Sequence, residues 1–137
     1  CAGSFSAGEH NDCVAMAKQF ADRTHFVHLR SCYIFPNGNF TEASHLGGRG
    51  HLIELCRIFE KAEQEGKCNS GRRLPMRVDH GMTFTDEPGG VFDESNHGHN
   101  AGYTLLGRMF AMGQIQGVIA TVDDELGIEY KQPGFYD

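Results

Sequence analysis

The sequence has no lysine or arginine stripe: 12 basic residues are scattered among 18 acidic ones, for a net charge of −6. A phosphate backbone finds no partner on such a chain, so no nucleic-acid ligand is expected. No apolar run approaches bilayer length, so no membrane span is expected either. A basic and then apolar N-terminus, the mark of a secretory signal, is also missing. No CxxC pair occurs among the five cysteines, Cys1, Cys13, Cys32, Cys56 and Cys68, and their number is odd. That fits neither a zinc ribbon nor a disulfide scaffold, and it points to a reducing cytoplasm. Internal repeats of solenoid period and dividing linkers are absent too. The chain opens on Cys1 rather than methionine, at what reads as a strand-to-helix junction, and is expected to be a fragment.

What is present suffices for a core. The 137 residues, 39% of them hydrophobic, are expected to form part of one soluble domain. Asn11 reads as an N-cap and Asp12 as a first-turn acid of a helix running to about Arg23, with Val14, Ala17 and Ala21 on one face. Cys13 on that helix reads as packing. His25–Arg30 reads as a strand covered on both faces, with His28 on the side of Phe26 and opposite Val27.

Ser31 to Gly50 reads as a long connection with Pro36-Asn37-Gly38 as its turn. In it Glu42 and His45 either reach a substrate or sit on a solvated loop. His51 to Gly66 is the clearest helix. Leu52, Leu55, Cys56, Phe59 and Ala62 form its apolar stripe, Glu60, Lys61, Glu63 and Glu65 face solvent, and Gly66 ends it. A strand is expected over 74–79. The 82–99 loop, with its His97-Gly98-His99 cluster, reads as solvated or lid-like. A last helix is expected from about Tyr103 to Val122. Leu105, Met109, Met112 and Ile119 suit burial there, while Gly113 and Gly117 permit close approach to a neighbour. From Gly127 the tail reads as frayed or irregularly docked.

The organising stretch is Leu74-Pro75-Met76-Arg77-Val78-Asp79-His80-Gly81, an extended run ending in a carboxylate, an imidazole and a glycine. His25-Phe26-Val27-His28-Leu29-Arg30 repeats that grammar, and the chain begins Cys1-Ala2-Gly3-Ser4. A thiol, an imidazole and a carboxylate at strand ends suggest one divalent metal site built from three strand tips.

These residues, together with Phe40-Thr41-Glu42-Ala43-Ser44-His45-Leu46, Asn100-Ala101-Gly102-Tyr103 and Gly107-Arg108, occur in the order found in mannonate dehydratases. Over about its first 110 residues the chain resembles that family. The resemblance implies a (β/α)8 TIM barrel of the xylose-isomerase-like kind, of which this chain is the C-terminal part: the tip of strand six and units seven and eight. It implies that the full-length protein is a hydro-lyase that dehydrates D-mannonate to 2-keto-3-deoxy-D-gluconate, cytoplasmic, with a sugar acid as partner and a homo-oligomeric state open to it, while this fragment alone is expected to be inactive. It further implies Mn²⁺ or Fe²⁺ held by Cys1, His28 and Asp79, with one more histidine on an earlier strand. His80 and Tyr103 are then the candidates for base and acid, with Tyr103 better cast as proton donor because a phenol titrates near ~10. Arg30, His45 and Arg77 are candidate substrate contacts, although Arg77 serves equally well as a structural ion-pair partner. Met82 and Ala101 depart from the family pattern, as does a longer 82–99 loop. Two other readings stand beside this one. One is another metal-dependent barrel sugar isomerase; the other is a catalytically inert fragment that only binds metal.

Overall fold

The computed structural model describes residues 1–79 and 103–130. The element order is α1 (Ala2–Ser6), α2 (Cys13–Phe20), β1 (Val27–Leu29), β2 (Cys32–Ile34), β3 (Phe40–Glu42), α3 (Leu52–Gln64), β4 (Met76–Val78) and α4 (Leu105–Leu126), with 3-10 turns at Ala21–Arg23 and Asn69–Gly71. Strands are few and short, and the class is α/β.

Asp12, not Asn11, caps α2: its carboxylate accepts from the backbone N–H groups of Val14 and Ala15 at 3.0 and 2.9 Å. A carboxylate adds charge to the cap bond at the positive helix end, which is why it takes the position. Asn11 turns back instead and donates to the carbonyl of Phe5. The α-helix also stops earlier than the periodicity suggests, at Phe20, and tightens into the 3-10 turn that runs to Arg23. Thr24 closes that turn by donating its hydroxyl to the Phe20 carbonyl.

β1 and β4 pair in parallel, with Val27 opposite Met76, His28 opposite Arg77 and Leu29 opposite Val78. One further rung, from the Asp79 N–H to the Leu29 carbonyl at 3.0 Å, carries the ladder past β4. Val27 and Leu29 face the core and His28 alternates away from it, but the second face is open at Phe26, which is 52% exposed. Both strands are three residues long, shorter than the six-residue runs in the sequence.

The connection from Ser31 to Gly50 is not structureless. It contains an antiparallel hairpin in which Cys32 faces Glu42, Tyr33 faces Thr41 and Ile34 faces Phe40. Pro36-Asn37-Gly38 is its turn: Gly38 adopts φ +84, a conformation that favours glycine, and donates to the Phe35 carbonyl. On the return, the Ser31 hydroxyl donates to the Gly47 carbonyl and accepts from the Gly50 N–H.

α3 buries Leu52, Leu55, Cys56, Phe59 and Ala62, the stripe that the sequence marks. Gly66, at φ +65, follows its C-cap, and the N–H of Lys67 returns to the Ala62 carbonyl. Glu60 and Glu63 do not face solvent as the pattern suggests. Both are part-buried towards α4, and Glu63 accepts from the N–H of Leu74. The charged face of α3 is narrower than its sequence because α4 covers one side of it.

α4 begins after Thr104, whose hydroxyl accepts from the Gly107 N–H, and ends at Gly127 with φ +69. It thus spans 22 residues, starting later and ending later than the sequence suggests. Its buried face is Gly107, Ala111, Ile115, Val122 and Asp123, with Ile119 partly buried against the core. Leu105, Met109 and Met112, expected inside, are 73%, 59% and 44% exposed. A Cβ on Gly113 or Gly117 would meet nothing within 4 Å among the described residues, so neither glycine serves a close approach there. The helix is apolar on most sides, so periodicity could not select the face that packs. By length and composition α4 could cross a bilayer, with a mean hydropathy of 1.2, contrary to the expectation that no run is long enough. One side of it packs on α3 and β4.

All five cysteines are free, and all but Cys1 are buried. Burial pushes the thiols of Cys13, Cys32 and Cys68 up, and that of Cys56 to about 12, so these four are packing residues.

Candidate acid–base and metal site at the strand tips

Because β1 and β4 run in parallel, their C-terminal ends lie side by side. His28 is delivered by β1, and Asp79 by the extra rung after β4. Asp79 is buried, 5% exposed, and three groups gather on its carboxylate. The Tyr103 hydroxyl donates to Oδ1 at 2.9 Å, His28 Nε2 stands 3.4 Å from the same oxygen, and Arg30 Nε stands 3.4 Å from Oδ2. His28 Nε2 is itself buried and makes no hydrogen bond among the described residues. A buried imidazole nitrogen and a carboxylate oxygen facing one another without a bond between them form a donor pair that a divalent transition metal accepts.

The hydrogen bond to Asp79, reinforced by burial and by the carboxylate's charge, holds the Tyr103 phenol above its usual range; Arg77 and Arg108 oppose this. The shift favours the protonated phenol. The Arg108 guanidinium lies 5.6 Å from the Tyr103 ring centroid, which braces the ring.

Arg30 continues from β1 and is engaged twice. Its Nε donates to both Glu42 oxygens at 3.1 and 2.9 Å, and its Nη2 also donates to Oε1. These bonds, ahead of the opposing effect of burial, push the guanidinium further above its ordinary value, so it is a permanent cation. Its stem lies against Gly3, where an added Cβ would come within 2.2 Å of Arg30 Cγ.

Of the residues singled out from sequence, His28, Asp79, Tyr103 and Arg30 come together. Cys1 is exposed and shares with His28 the lining of a cavity of about 350 Å³ between α1, α2 and β1. Among the described residues no three His, Cys, Asp or Glu side chains group closely enough to hold a metal. Arg77 is exposed on β4 and lines a second cavity of about 740 Å³ beside α3 and α4. His45 is buried, 2% exposed, in the segment returning from β3. His80, the 82–99 loop with His97 and His99, Met82 and Ala101 lie outside the described residues.

Sequence reasoning missed the bond between Glu42 and Arg30 and the place of Gly3 beneath it. The Pro-Asn-Gly turn between Cys32-Tyr33-Ile34 and Phe40-Thr41-Glu42 was the available signal, since a hairpin there carries Glu42 back beside β1. Nothing local marks Gly3.

The parallel strand pair thus brings a buried carboxylate and an imidazole to its C-terminal ends in an α/β setting, and the phenol before α4 bonds to that carboxylate. The family model for D-mannonate dehydratase (UxuA) matches residues 1–128, and the chain belongs to that family. Similar proteins include mannonate dehydratase 2 of Agrobacterium fabrum, 38% identical over 128 residues, which are 92% of this chain and 30% of the relative. The mannonate dehydratase of Saccharophagus degradans is 36% identical over 90% of this chain and 30% of its own length. That of Brucella canis is 32% identical over 90% of this chain and 29% of its own. The chain thus spans about 30% of the length of these relatives.

Proposed function

We propose that these residues form part of the active site of a hydro-lyase that dehydrates D-mannonate to 2-keto-3-deoxy-D-gluconate. In this reading the chain is the C-terminal part of a TIM barrel, working in the cytoplasm on a sugar acid. The observation that carries it is the hydrogen bond from Tyr103 to buried Asp79 beside the unbonded Nε2 of His28. The family membership supplies the substrate class.

Cys1, His28 and Asp79 are the residues that would hold Mn²⁺ or Fe²⁺, whose chemistry is to polarise the substrate oxygens and stabilise enediolate-like charge. The His28 and Asp79 donors fit such an ion. Cys1, the third member of the proposed set, is exposed and shares only a cavity lining with His28. The reaction needs a base for the hydrogen on the carbon beside the carboxylate, and an acid for the hydroxyl on the next carbon. Tyr103 is the acid: its O–H is held on Asp79, and it leaves the proton with the departing hydroxyl as water. His80, next in sequence to Asp79, is the base that takes the carbon-bound proton. The resulting enol rearranges to the 2-keto acid. Arg77 and His45 are proposed substrate contacts, with Arg30 set by Glu42 as a third.

The test is turnover of D-mannonate by the full-length enzyme, of which this chain spans a part, loaded with Mn²⁺ and followed by the 2-keto-3-deoxy-D-gluconate formed. Product from the wild type, and none from Tyr103→Phe with its metal content intact, is the expected result. No product from the metal-loaded wild type would remove the assignment.

A further inference from the structure

Arg30 stands between two carboxylates, and its contacts with them are unequal. Towards Glu42 it makes a two-pronged set of hydrogen bonds; towards Asp79 it keeps a single approach of 3.4 Å, too long for a charge-assisted bond. Gly3 gives the stem its room, because a side chain there would collide with Arg30 Cβ, Cγ and Cδ. All three charged groups are at least partly buried: the Arg30 and Glu42 side chains are 21% and 29% exposed and that of Asp79 only 7%. At such sites water screens weakly, and a cation released from Glu42 would close on Asp79.

We propose that Glu42 is a positioning residue that draws the Arg30 guanidinium back from Asp79, so that the cation competes less with a divalent metal for that carboxylate. The inference rests on the proposed metal role of Asp79 and deepens it by assigning a function to the β2–β3 hairpin. The hairpin brings Glu42 into register with Cys32, two residues beyond Arg30, and so places a competing anion where it can hold the guanidinium. In this arrangement Arg30 is a rival of the metal for one carboxylate, and Glu42 decides the contest.

Mn²⁺ affinity of the full-length enzyme, measured by titration, reads this directly. Glu42→Gln, which keeps shape and loses charge, should weaken Mn²⁺ binding about tenfold, the lower end of what removal of an outer partner costs. Adding Arg30→Gln to it should restore wild-type affinity, since the rival cation is gone. Arg30→Gln alone should bind Mn²⁺ no more weakly than wild type. A loss in Glu42→Gln that the double variant does not recover would make Glu42 merely structural. Weakened binding in Arg30→Gln alone would make Arg30 a support of Asp79. Either result overturns the proposal. A crystal structure of Glu42→Gln supplies a readout that needs no metal. In it Arg30 Nε should close from 3.4 Å to about 2.8 Å from Asp79. An unmoved guanidinium overturns the proposal, whereas a wild type that fails to bind Mn²⁺ overturns only the metal assignment.

Discussion

Replacing Tyr103 by Phe removes one oxygen and the hydrogen bond to Asp79 while leaving the ring over which Arg108 sits. Folding and metal content should survive and turnover should fall by about 10²–10⁴-fold, the usual worth of a positioned proton donor. Asp79→Asn and Cys1→Ser should instead lose metal and activity together, as metal analysis of the purified variants would show. Unchanged metal in both would separate these residues from the ion. Glu60 has a second signature: burial, then the charges of Asp123 and Glu63 against the relief of Arg73, raises its carboxyl to about 7. Below its unfolded value of 4.5 the group is neutral in both states. Between there and about 7 only the unfolded chain releases the proton, so stability declines as pH rises through that window. Glu60→Gln should therefore melt higher than wild type at about pH 8 and equally near pH ~4. A pH-independent difference would assign the residue to packing alone. At this scale His28, Asp79 and Tyr103 were legible because each stands within or next to an extended run or just ahead of a helix. Glu42 was not, since its role depends on a hairpin of two three-residue strands, too short to register as alternation.

The apolar stripe and glycine stop of α3 were readable because one face is apolar and the other charged, but its polar face was not, since α4 covers Glu60 and Glu63. Phe59→Ala, emptying the centre of that stripe, should cost about 3–5 kcal/mol in denaturant unfolding of the folded protein. Asp12→Ala should cost about 1 kcal/mol through loss of the two N–H bonds at the start of α2. A loss equal to that of Phe59→Ala would mean that Asp12 does more than cap. α4 was legible as a helix and illegible as an orientation. Leucine, methionine and isoleucine lie on several of its sides, and contact with α3 and β4 chose the side bearing Gly107, Ala111 and Ile115. Small residues let the backbone come near, an advantage that hydropathy alone does not register.

Across the whole molecule, the apolar side chains of Leu105 and Met109 remain more than half exposed on α4. Such a surface favours association, so residues 1–137 expressed alone should self-associate in sedimentation experiments, and Leu105→Lys with Met109→Lys should shift the distribution towards monomer. An unchanged distribution would place the contact elsewhere. The parallel pair is what brings imidazole and carboxylate to one end of the sheet, and it has a cost in time. β1 meets β4 only after roughly fifty intervening residues have been threaded, so its closure entropy is paid late. The β2–β3 hairpin and α3, whose contacts are local, can order on the microsecond scale of such elements. Their assembly must precede the rung between Asp79 and Leu29. During synthesis, the arginine would thus meet Glu42 before Asp79 has emerged, and order of emergence would settle which acid claims it.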